Sequence, residues 1–180
     1  MNTRWTNKNI LITGAGSGIG QALAKLFASQ GAKLILTDIN TKNLTQTAKA
    51  LDTSVLIYKT ANVSDKSDWQ MLVKEIDDKV GHLDVLINNA GMTSFGFFND
   101  TSENLFNKVM DVNLNGVVIG CREMLPLLEK STRGMIVNVA SIFGLITMPM
   151  VTPYHASKFA VRGFTEALKQ DMIFLKKNID

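Results

Sequence analysis

The chain has 180 residues, enough for one domain with a sizeable core, and its hydrophobic fraction of 46% excludes a disordered protein. Its 19 basic and 16 acidic residues give a net charge of +3 with no Lys/Arg cluster, so we expect no nucleic acid partner. A single cysteine, Cys121, excludes an internal disulfide, and two histidines far apart in sequence make a poor metal set. With no signal peptide and no apolar run near the ~20 residues of a membrane span, we expect a cytoplasmic protein without membrane association.

Short apolar runs alternate with helical patterns along the whole chain. The runs predict buried strands at Asn9–Thr13, Lys33–Asp38, Val55–Thr60, Asp84–Asn89 and Met135–Ser141. Because these runs are apolar throughout rather than alternating, both faces of every strand are predicted to be covered, as in a parallel sheet.

The segments between the strands have the apolar spacing of helices. Helical patterns surround Leu23 and Trp69, the second with Ser64 as its predicted N-cap and Gly81 as its stop. Two long helices are predicted at Leu105–Lys130 and Tyr154–Lys177. The alternation of strand and helix predicts a single domain over residues 1–180 with a doubly wound α/β sheet, in which ligands bind beyond the carboxyl ends of the strands.

The turn after the first strand is rich in glycine. Gly14, Gly18 and Gly20 permit a close approach of backbone to a ligand, and the helix that follows offers free N–H groups to a pyrophosphate. A P-loop is excluded because no Lys-Ser/Thr pair follows these glycines. A tight strand-to-helix turn without a ligand explains the glycines equally well.

Asp38 ends the second strand, where a carboxylate can accept hydrogen bonds from both hydroxyls of an adenosine ribose. The same charge repels a 2′-phosphate, and Ala15, Ser17 and Ile39 supply no cation, so NAD is favoured over NADP. The alternative is a solvated aspartate at a strand end.

The third and fourth strands are each followed by amide side chains. Asn62 is placed to hydrogen-bond an adenine edge, or it is an ordinary turn residue. The segment Asn88–Gly91 is predicted to tie neighbouring strand ends together and to form a wall against a ribose.

Ser141, Tyr154 and Lys158 follow the fifth strand. Tyr154 and Lys158 are four residues apart and share one face of a helix. A phenol is a poor base at neutral pH, but an ammonium ~4 Å away stabilises a phenolate by about 4 kcal/mol at an effective dielectric of ~20. Ser141 would then hold a substrate oxygen, an arrangement that suits proton transfer coupled to hydride transfer. The alternative for Tyr154 is ordinary packing with its hydroxyl on some partner.

Taken in order, these motifs resemble the short-chain dehydrogenase/reductase family. The resemblance rests on Thr13-Gly14-x-x-x-Gly18-Ile19-Gly20, Asp38, Asn88-Asn89-Ala90-Gly91, Asn113, Ser141 and Tyr154-x-x-x-Lys158. It implies a Rossmann fold and an NAD-dependent oxidoreductase that interconverts a secondary alcohol and a ketone. One departure is Asn62, where the family more often has aspartate.

The resemblance also implies roles for individual residues. Tyr154 is the acid/base, Ser141 positions the reacting oxygen, and Lys158 assists Tyr154 and binds the nicotinamide ribose. Asn113 kinks its helix and holds a water molecule in a proton relay. The predicted cofactor contacts are Gly14, Ser17, Gly18, Ile19, Gly20, Asp38, Asn62, Val63, Asn89, Ala90, Gly91, Tyr154 and Lys158. His155 adjoins Tyr154 but is predicted to face elsewhere.

Members of the family have a sixth and a seventh strand, which the resemblance places beyond the last residue, Asp180. We therefore expect the segment Met135–Ser141 to be an uncovered sheet edge, the chain to aggregate unless a partner strand covers that edge, and turnover to be slow. The alternative function is a catalytically impaired remnant that binds nucleotide or a partner chain.

The substrate and the oligomeric state leave weaker traces. The loops around Phe95 and Leu145 carry apolar side chains that predict either an apolar substrate wall or ordinary loop packing. The two long helices carry apolar residues on more than one face, which favours a homo-oligomer formed through them. The residues behind this expectation are Val117, Met124, Leu127, Phe159, Phe164 and Leu168.

Overall fold

A computed structural model describes residues 4–180, which fold as a parallel sheet with helices on both faces. The strands are β1 (Asn9–Thr13), β2 (Lys33–Asp38), β3 (Val55–Thr60), β4 (Val85–Asn88) and β5 (Met135–Asn138). Their order across the sheet is β3-β2-β1-β4-β5, and every neighbouring pair is parallel. The predicted doubly wound α/β fold is confirmed.

The helices alternate with these strands. They are α1 (Gly18–Ser29), α2 (Thr41–Leu51), α3 (Lys66–Lys79), α4 (Glu103–Met110), α5 (Gly116–Glu129) and α6 (Thr152–Phe174). A π-helical segment, Asp111–Asn115, joins α4 to α5, and a 3₁₀ turn, Ile142–Gly144, precedes α6. One buried cluster centred on Leu11, Leu86 and Met124 and a second centred on Ile10, Ile12 and Leu36 cover the two faces of the sheet.

Strand order determines where the site lies. The chain moves from β1 outward to β3, then returns to place β4 and β5 on the other side of β1. The order therefore reverses between β1 and β4, and the carboxyl ends of these two strands form the crevice in which doubly wound sheets bind ligands.

The prediction that every strand is covered on both faces is wrong for β3. Ile57 is buried, but Leu56 and Tyr58 are 40% and 50% exposed. β3 is an edge strand that hydrogen-bonds to β2 alone, and edge strands are covered less completely than central ones. β5 is also only partly buried, in contrast to the fully buried β1 and β4.

Three helices also differ from those predicted, and the one predicted at Tyr154–Lys177 is α6, Thr152–Phe174. The N-cap of α3 is Asp65, whose Oδ1 accepts from the Ser67 N–H at 2.8 Å, rather than Ser64. Gly81 follows the helix with φ of +81°, as expected of a stop signal. The single long helix predicted for Leu105–Lys130 is interrupted by its π-helical segment.

The sequence predicts that the sheet edge at β5 is uncovered, but in the structure part of this edge is covered. The last residues pair alongside it, because Gly134 N donates to Asn178 O at 2.9 Å and Ile136 N donates to Asp180 O at 2.8 Å. Asp180 N in turn donates to Gly134 O at 3.0 Å. The first part of β5 therefore has a parallel neighbour within this chain, which removes part of the reason for expecting aggregation.

Three of the residues predicted to face a partner chain lie in the core. Val117, Met124 and Leu127 on α5 are at most 4% exposed. They pack under the sheet with Trp69 and Leu72 of α3, so the apolar excess on α5 is used within the chain.

Candidate active site

A cleft of about 510 Å³ opens at the carboxyl ends of β1 to β4. Every predicted cofactor contact lines it except Gly20, Tyr154 and Lys158. Lining residues come from the turn after β1, the end of β2, the turn after β3 and the segment after β4, so four strand ends converge on one space. The predicted lining residues are Gly14, Ser17, Gly18, Ile19, Asp38, Asn62, Val63, Asn89, Ala90 and Gly91.

Two glycines where β1 leads into α1 disfavour side chains, Gly20 for lack of space and Gly14 for its backbone conformation. A Cβ atom on Gly20 would lie 2.2 Å from the carbonyl oxygen of Gly14, and Gly14 itself has φ of +65°. Ser17 occupies the N-cap of α1 without a side-chain cap hydrogen bond. The first N–H groups of α1 therefore remain available beside the cleft, where they favour an anion.

Asp38 connects the end of β2 to the glycine-rich turn. Its Oδ2 accepts from Gly16 N and its Oδ1 accepts from Asn40 N, both at 2.8 Å. Each carboxylate oxygen has a further lone pair, so the partly exposed Asp38 can accept additional hydrogen bonds from a ligand in the cleft. Asp38 is therefore not simply solvated at the strand end, because two backbone N–H groups fix its carboxylate.

The paired asparagines at the end of β4 brace the sheet, as predicted. Asn89 Nδ2 donates to Thr13 O at 2.9 Å, and the Thr13 hydroxyl accepts from the N–H groups of Asn89 and Ala90, both at 3.0 Å. Asn88 Nδ2 donates to Asn138 Oδ1 at 2.9 Å. These bonds tie β1, β4 and β5 together at the ends that form the cleft.

Asn113 lies fully buried in the π-helical segment, so the irregularity predicted for its helix is present. Its Oδ1 accepts from Met92 N and its Nδ2 donates to Met92 O, both at 2.8 Å. Nδ2 also donates to Ser157 Oγ at 3.0 Å. Asn113 therefore joins the loop after β4 to the residue that precedes Lys158.

Lys158 is buried at the base of the site. Its Nζ donates to Val139 O at 2.8 Å and lies 5.6 Å from the centre of the Tyr154 ring, within the range of a cation–π contact. Burial lowers the pKa of Lys158 from its ordinary value, because the charged ammonium loses hydration. A Cβ atom on Gly91 would lie 3.7 Å from Nζ, so the ammonium is close to the cleft that Gly91 lines.

Ser141 and Tyr154 lie at opposite ends of one loop. The Ser141 hydroxyl accepts from Phe143 N at 3.1 Å, and the Phe143 ring packs edge-on against Tyr154 with ring centres 6.3 Å apart. A Cβ atom on Gly144 would lie 2.9 Å from Lys158 O, so the loop lies directly on α6. These contacts, with the bond from Asn113 to Ser157, bring the four predicted catalytic residues into one region.

Sequence reasoning missed five residues that line the cleft: Ile39, Ala61, Met92, Lys108 and Val112. Lys108 is the informative one, because it adds a cation to the cleft that Asp38 also lines. No signal in the sequence singles out Lys108, because the face of α4 that meets the cleft depends on how that helix packs.

Residues 4–180 hold no cluster of three His, Cys, Asp or Glu side chains that could bind a metal ion. The same part of the chain has no helix long and apolar enough to cross a membrane. Cys121 is buried, and burial raises the pKa of its thiol to about 11, so it is a packing residue.

A doubly wound sheet, a glycine-rich turn at its switch point and a tyrosine beside a buried lysine define a nucleotide-dependent class of protein. The family model described as short chain dehydrogenase matches residues 8–179. The chain belongs to the short-chain dehydrogenase family.

Several curated relatives are similar over nearly the whole chain. An uncharacterized oxidoreductase of Staphylococcus saprophyticus is 33% identical over 173 residues, covering 96% of this chain and 70% of the relative. The putative oxidoreductase SadH of Mycobacterium tuberculosis is 38% identical and is covered over 61% of its length. The 3-oxoacyl-[acyl-carrier-protein] reductase FabG of Thermotoga maritima is 38% identical and 70% covered.

Solved structures agree with these relatives. A short chain dehydrogenase/reductase from Burkholderia phymatum in complex with NAD superposes with a TM-score of 0.94 at 35% identity. The match covers 98% of this chain and 64% of that one. The chain thus spans between 61% and 70% of the length of these proteins.

Proposed function

We propose that residues 1–180 form one nucleotide-binding and catalytic domain of an oxidoreductase that interconverts a secondary alcohol and a ketone. Tyr154 is the acid/base, assisted by Lys158, with Ser141 and Asn113 as positioning groups. The observation that carries this proposal is the buried Lys158 Nζ, which lies 5.6 Å from the Tyr154 ring centre and close to Gly91 of the cleft.

NAD is the proposed cofactor, and the cleft fits it. The volume of the cleft is in the range of small-molecule sites, and the adenosine end of NAD would meet Asp38 and Asn62. The pyrophosphate would lie at the N-terminus of α1, where no side chain on Gly20 intervenes. The cofactor supplies the acceptor or donor of a hydride. The relative from Burkholderia, a complex with NAD, supports this assignment.

The residues of the chain handle the proton. In the oxidation direction, the phenolate of Tyr154 takes the proton from the substrate hydroxyl while the carbinol carbon loses its hydride. The Lys158 ammonium favours the ionised phenol through its charge. The Ser141 hydroxyl, oriented by the Phe143 N–H, donates to the substrate oxygen. The reverse sequence protonates the oxygen of a ketone.

We further propose that the substrate is apolar. The segments 92–98 and 142–150 contain no charged residue, and Gly96 N donates to Met150 O at 2.9 Å, so the two segments adjoin. An anionic substrate would find no ammonium or guanidinium group in either of them. Exposed apolar side chains line both: Phe95, Phe97, Phe98, Ile142, Leu145, Ile146, Met148 and Met150.

The test combines binding with turnover. NADH binding is followed by fluorescence titration, and turnover with NAD is measured for 2-octanol, 2-propanol and lactate. We expect saturable NADH binding and the highest kcat/KM for 2-octanol. Binding without turnover of any alcohol would favour the alternative, an impaired nucleotide-binding protein. A preference for lactate would contradict the apolar substrate.

Asp38 is expected to set the cofactor preference. Asp38→Ser should weaken NADH binding about tenfold, because it removes a charged hydrogen-bond acceptor. Adding Ile39→Arg to that variant should shift the preference toward NADPH by supplying a cation for the 2′-phosphate. Ile39→Arg alone is the matched control and should gain little, since the Asp38 charge remains. A wild-type preference for NADPH, with Lys108 as the responsible cation, would contradict this reading.

We also propose that the protein self-associates through α6. Phe159 is 40% exposed on this helix and Phe174 is 86% exposed, although Phe164 and Leu168 are partly buried against the core. Sedimentation velocity at micromolar concentration should show a dimer or larger species, and Phe159→Glu should shift it toward monomer. A monomeric wild-type chain would contradict the proposal.

A further inference from the structure

His155 is the side chain of α6 that holds the 142–150 loop, the segment between Ser141 and the catalytic helix. The ring is 7% exposed. Its Nδ1 lies 3.1 Å from Phe143 O, and its Nε2 lies 3.0 Å from Met148 N and 3.1 Å from Met148 O. One imidazole therefore contacts the backbone of both the first and the second half of the loop.

These contacts select one form of the ring. The Phe143 carbonyl can only accept, so Nδ1 must donate to it, and in the neutral ring Nε2 then accepts from the Met148 N–H and makes no hydrogen bond to Met148 O. The neutral ring then carries its proton on Nδ1, which donates to Phe143 O. The ring also packs against the Phe143 side chain with centres 4.9 Å apart. The Nδ1–H tautomer satisfies Phe143 O and Met148 N–H together.

The two held points lead to different parts of the site. Phe143 orients the Ser141 hydroxyl through its N–H and packs against the Tyr154 ring. Met148 lies in the apolar wall, by which we mean the adjoining segments 92–98 and 142–150. It is two residues before Met150, whose carbonyl accepts a hydrogen bond from Gly96 N of the first segment. A displaced Phe143 would move the serine, whereas a displaced Met148 would open the wall.

We infer that His155 is a positioning residue. As the Nδ1–H tautomer, it fixes the serine turn, residues 141–143, through Phe143 O, and it fixes the apolar wall through Met148 N. The inference rests on the proposed function, because it assigns Ser141 to the reaction and the wall to the substrate. It extends that function with a residue that does not line the cofactor cleft and acts through the backbone of the loop.

Two variants each remove one of the two hydrogen bonds of the His155 ring and keep the other. In His155→Asn, the amide nitrogen replaces Nδ1–H and keeps a donor for Phe143 O, but the side chain is too short to reach Met148. In His155→Gln, the amide oxygen replaces Nε2 and keeps an acceptor for Met148 N–H, but the donor to Phe143 is lost. His82→Gln is the matched control, because His82 hydrogen-bonds Asn9 at the start of β1, at the opposite end of the sheet.

The first measurement needs no turnover. Nitrogen-15 NMR of the wild-type chain at neutral pH should show His155 as the Nδ1–H tautomer. Hydrogen exchange of the Met148 amide should accelerate about tenfold or more in His155→Asn, as expected for the loss of one partly buried hydrogen bond, and change little in His155→Gln and His82→Gln. A wild-type ring with its proton on Nε2, or unchanged Met148 exchange in His155→Asn, would overturn the inference.

The second measurement separates positioning from simple packing. With 2-octanol and NAD, His155→Gln should lower kcat about tenfold with KM nearly unchanged, because the serine turn is loosened. His155→Asn should instead raise KM, because the wall is loosened. Equal changes of both constants in the two variants would overturn the inference. If the wild-type chain turns over no alcohol, the proposed function fails, and the tautomer and exchange results alone decide the role of His155.

Discussion

Tyr154→Phe is expected to lower turnover of 2-octanol by on the order of a thousandfold while leaving NADH affinity within a few fold. Only the hydroxyl is removed, so the proton transfer is lost, and general acid–base groups contribute factors of roughly this size. The phenyl ring retains its edge-on packing against Phe143 and its position beside Lys158 Nζ. Steady-state kinetics and fluorescence titration of the same preparation measure the two quantities.

Tyr58→Phe is the matched control for this experiment. Tyr58 is the other tyrosine of the chain, and it is 50% exposed on the edge strand β3, away from the catalytic loop. The substitution makes the same chemical change and should leave both turnover and NADH affinity as they are. Retained turnover in Tyr154→Phe would show that Tyr154 is not the acid/base.

The course of the chain is largely predictable from sequence, and the burial of individual strands is not. The limits of β1, β2 and β3 agree with the apolar runs because each run ends where glycine or polar residues begin. Strand order is decided by long-range packing, so an apolar run cannot tell that β3 is an edge. The pairing of residues 178–180 with β5 is missed for the same reason, since three residues show no periodicity.

The candidate site follows a similar division. Residues at strand ends, such as Asp38 and Asn89, are predictable because parallel strands direct their carboxyl ends to one edge. Lys108 and His155 are not, because their roles depend on how a helix is rotated and on the path of an irregular loop. His155 is predicted only to face elsewhere than Tyr154, and its backbone partners Phe143 and Met148 depend on that path.

Lys158→Met should lower turnover by about a hundredfold or more and leave the free energy of unfolding at neutral pH unchanged or higher. The loss of rate follows from removing the charge that favours the Tyr154 phenolate. The effect on stability follows from burial, which lowers the pKa of Lys158 below its ordinary 10.5. A lowered lysine pKa means that the folded state binds this proton less tightly than the unfolded state does.

The difference in stability between the wild type and Lys158→Met depends on pH. Below both pKa values, the lysine is charged in the folded and unfolded states, and the cost of burying the ammonium is fully present. As pH rises from the lowered pKa toward 10.5, the folded protein loses the proton first, so wild-type stability gains a contribution that the variant lacks. Unfolding by urea across this pH range, with the exposed Lys169→Met on the same helix as control, measures the difference. If Lys158→Met is less stable than Lys169→Met at neutral pH, the hydrogen bond from Nζ to Val139 O outweighs the cost of burying the ammonium. The expected gain in stability would then be wrong.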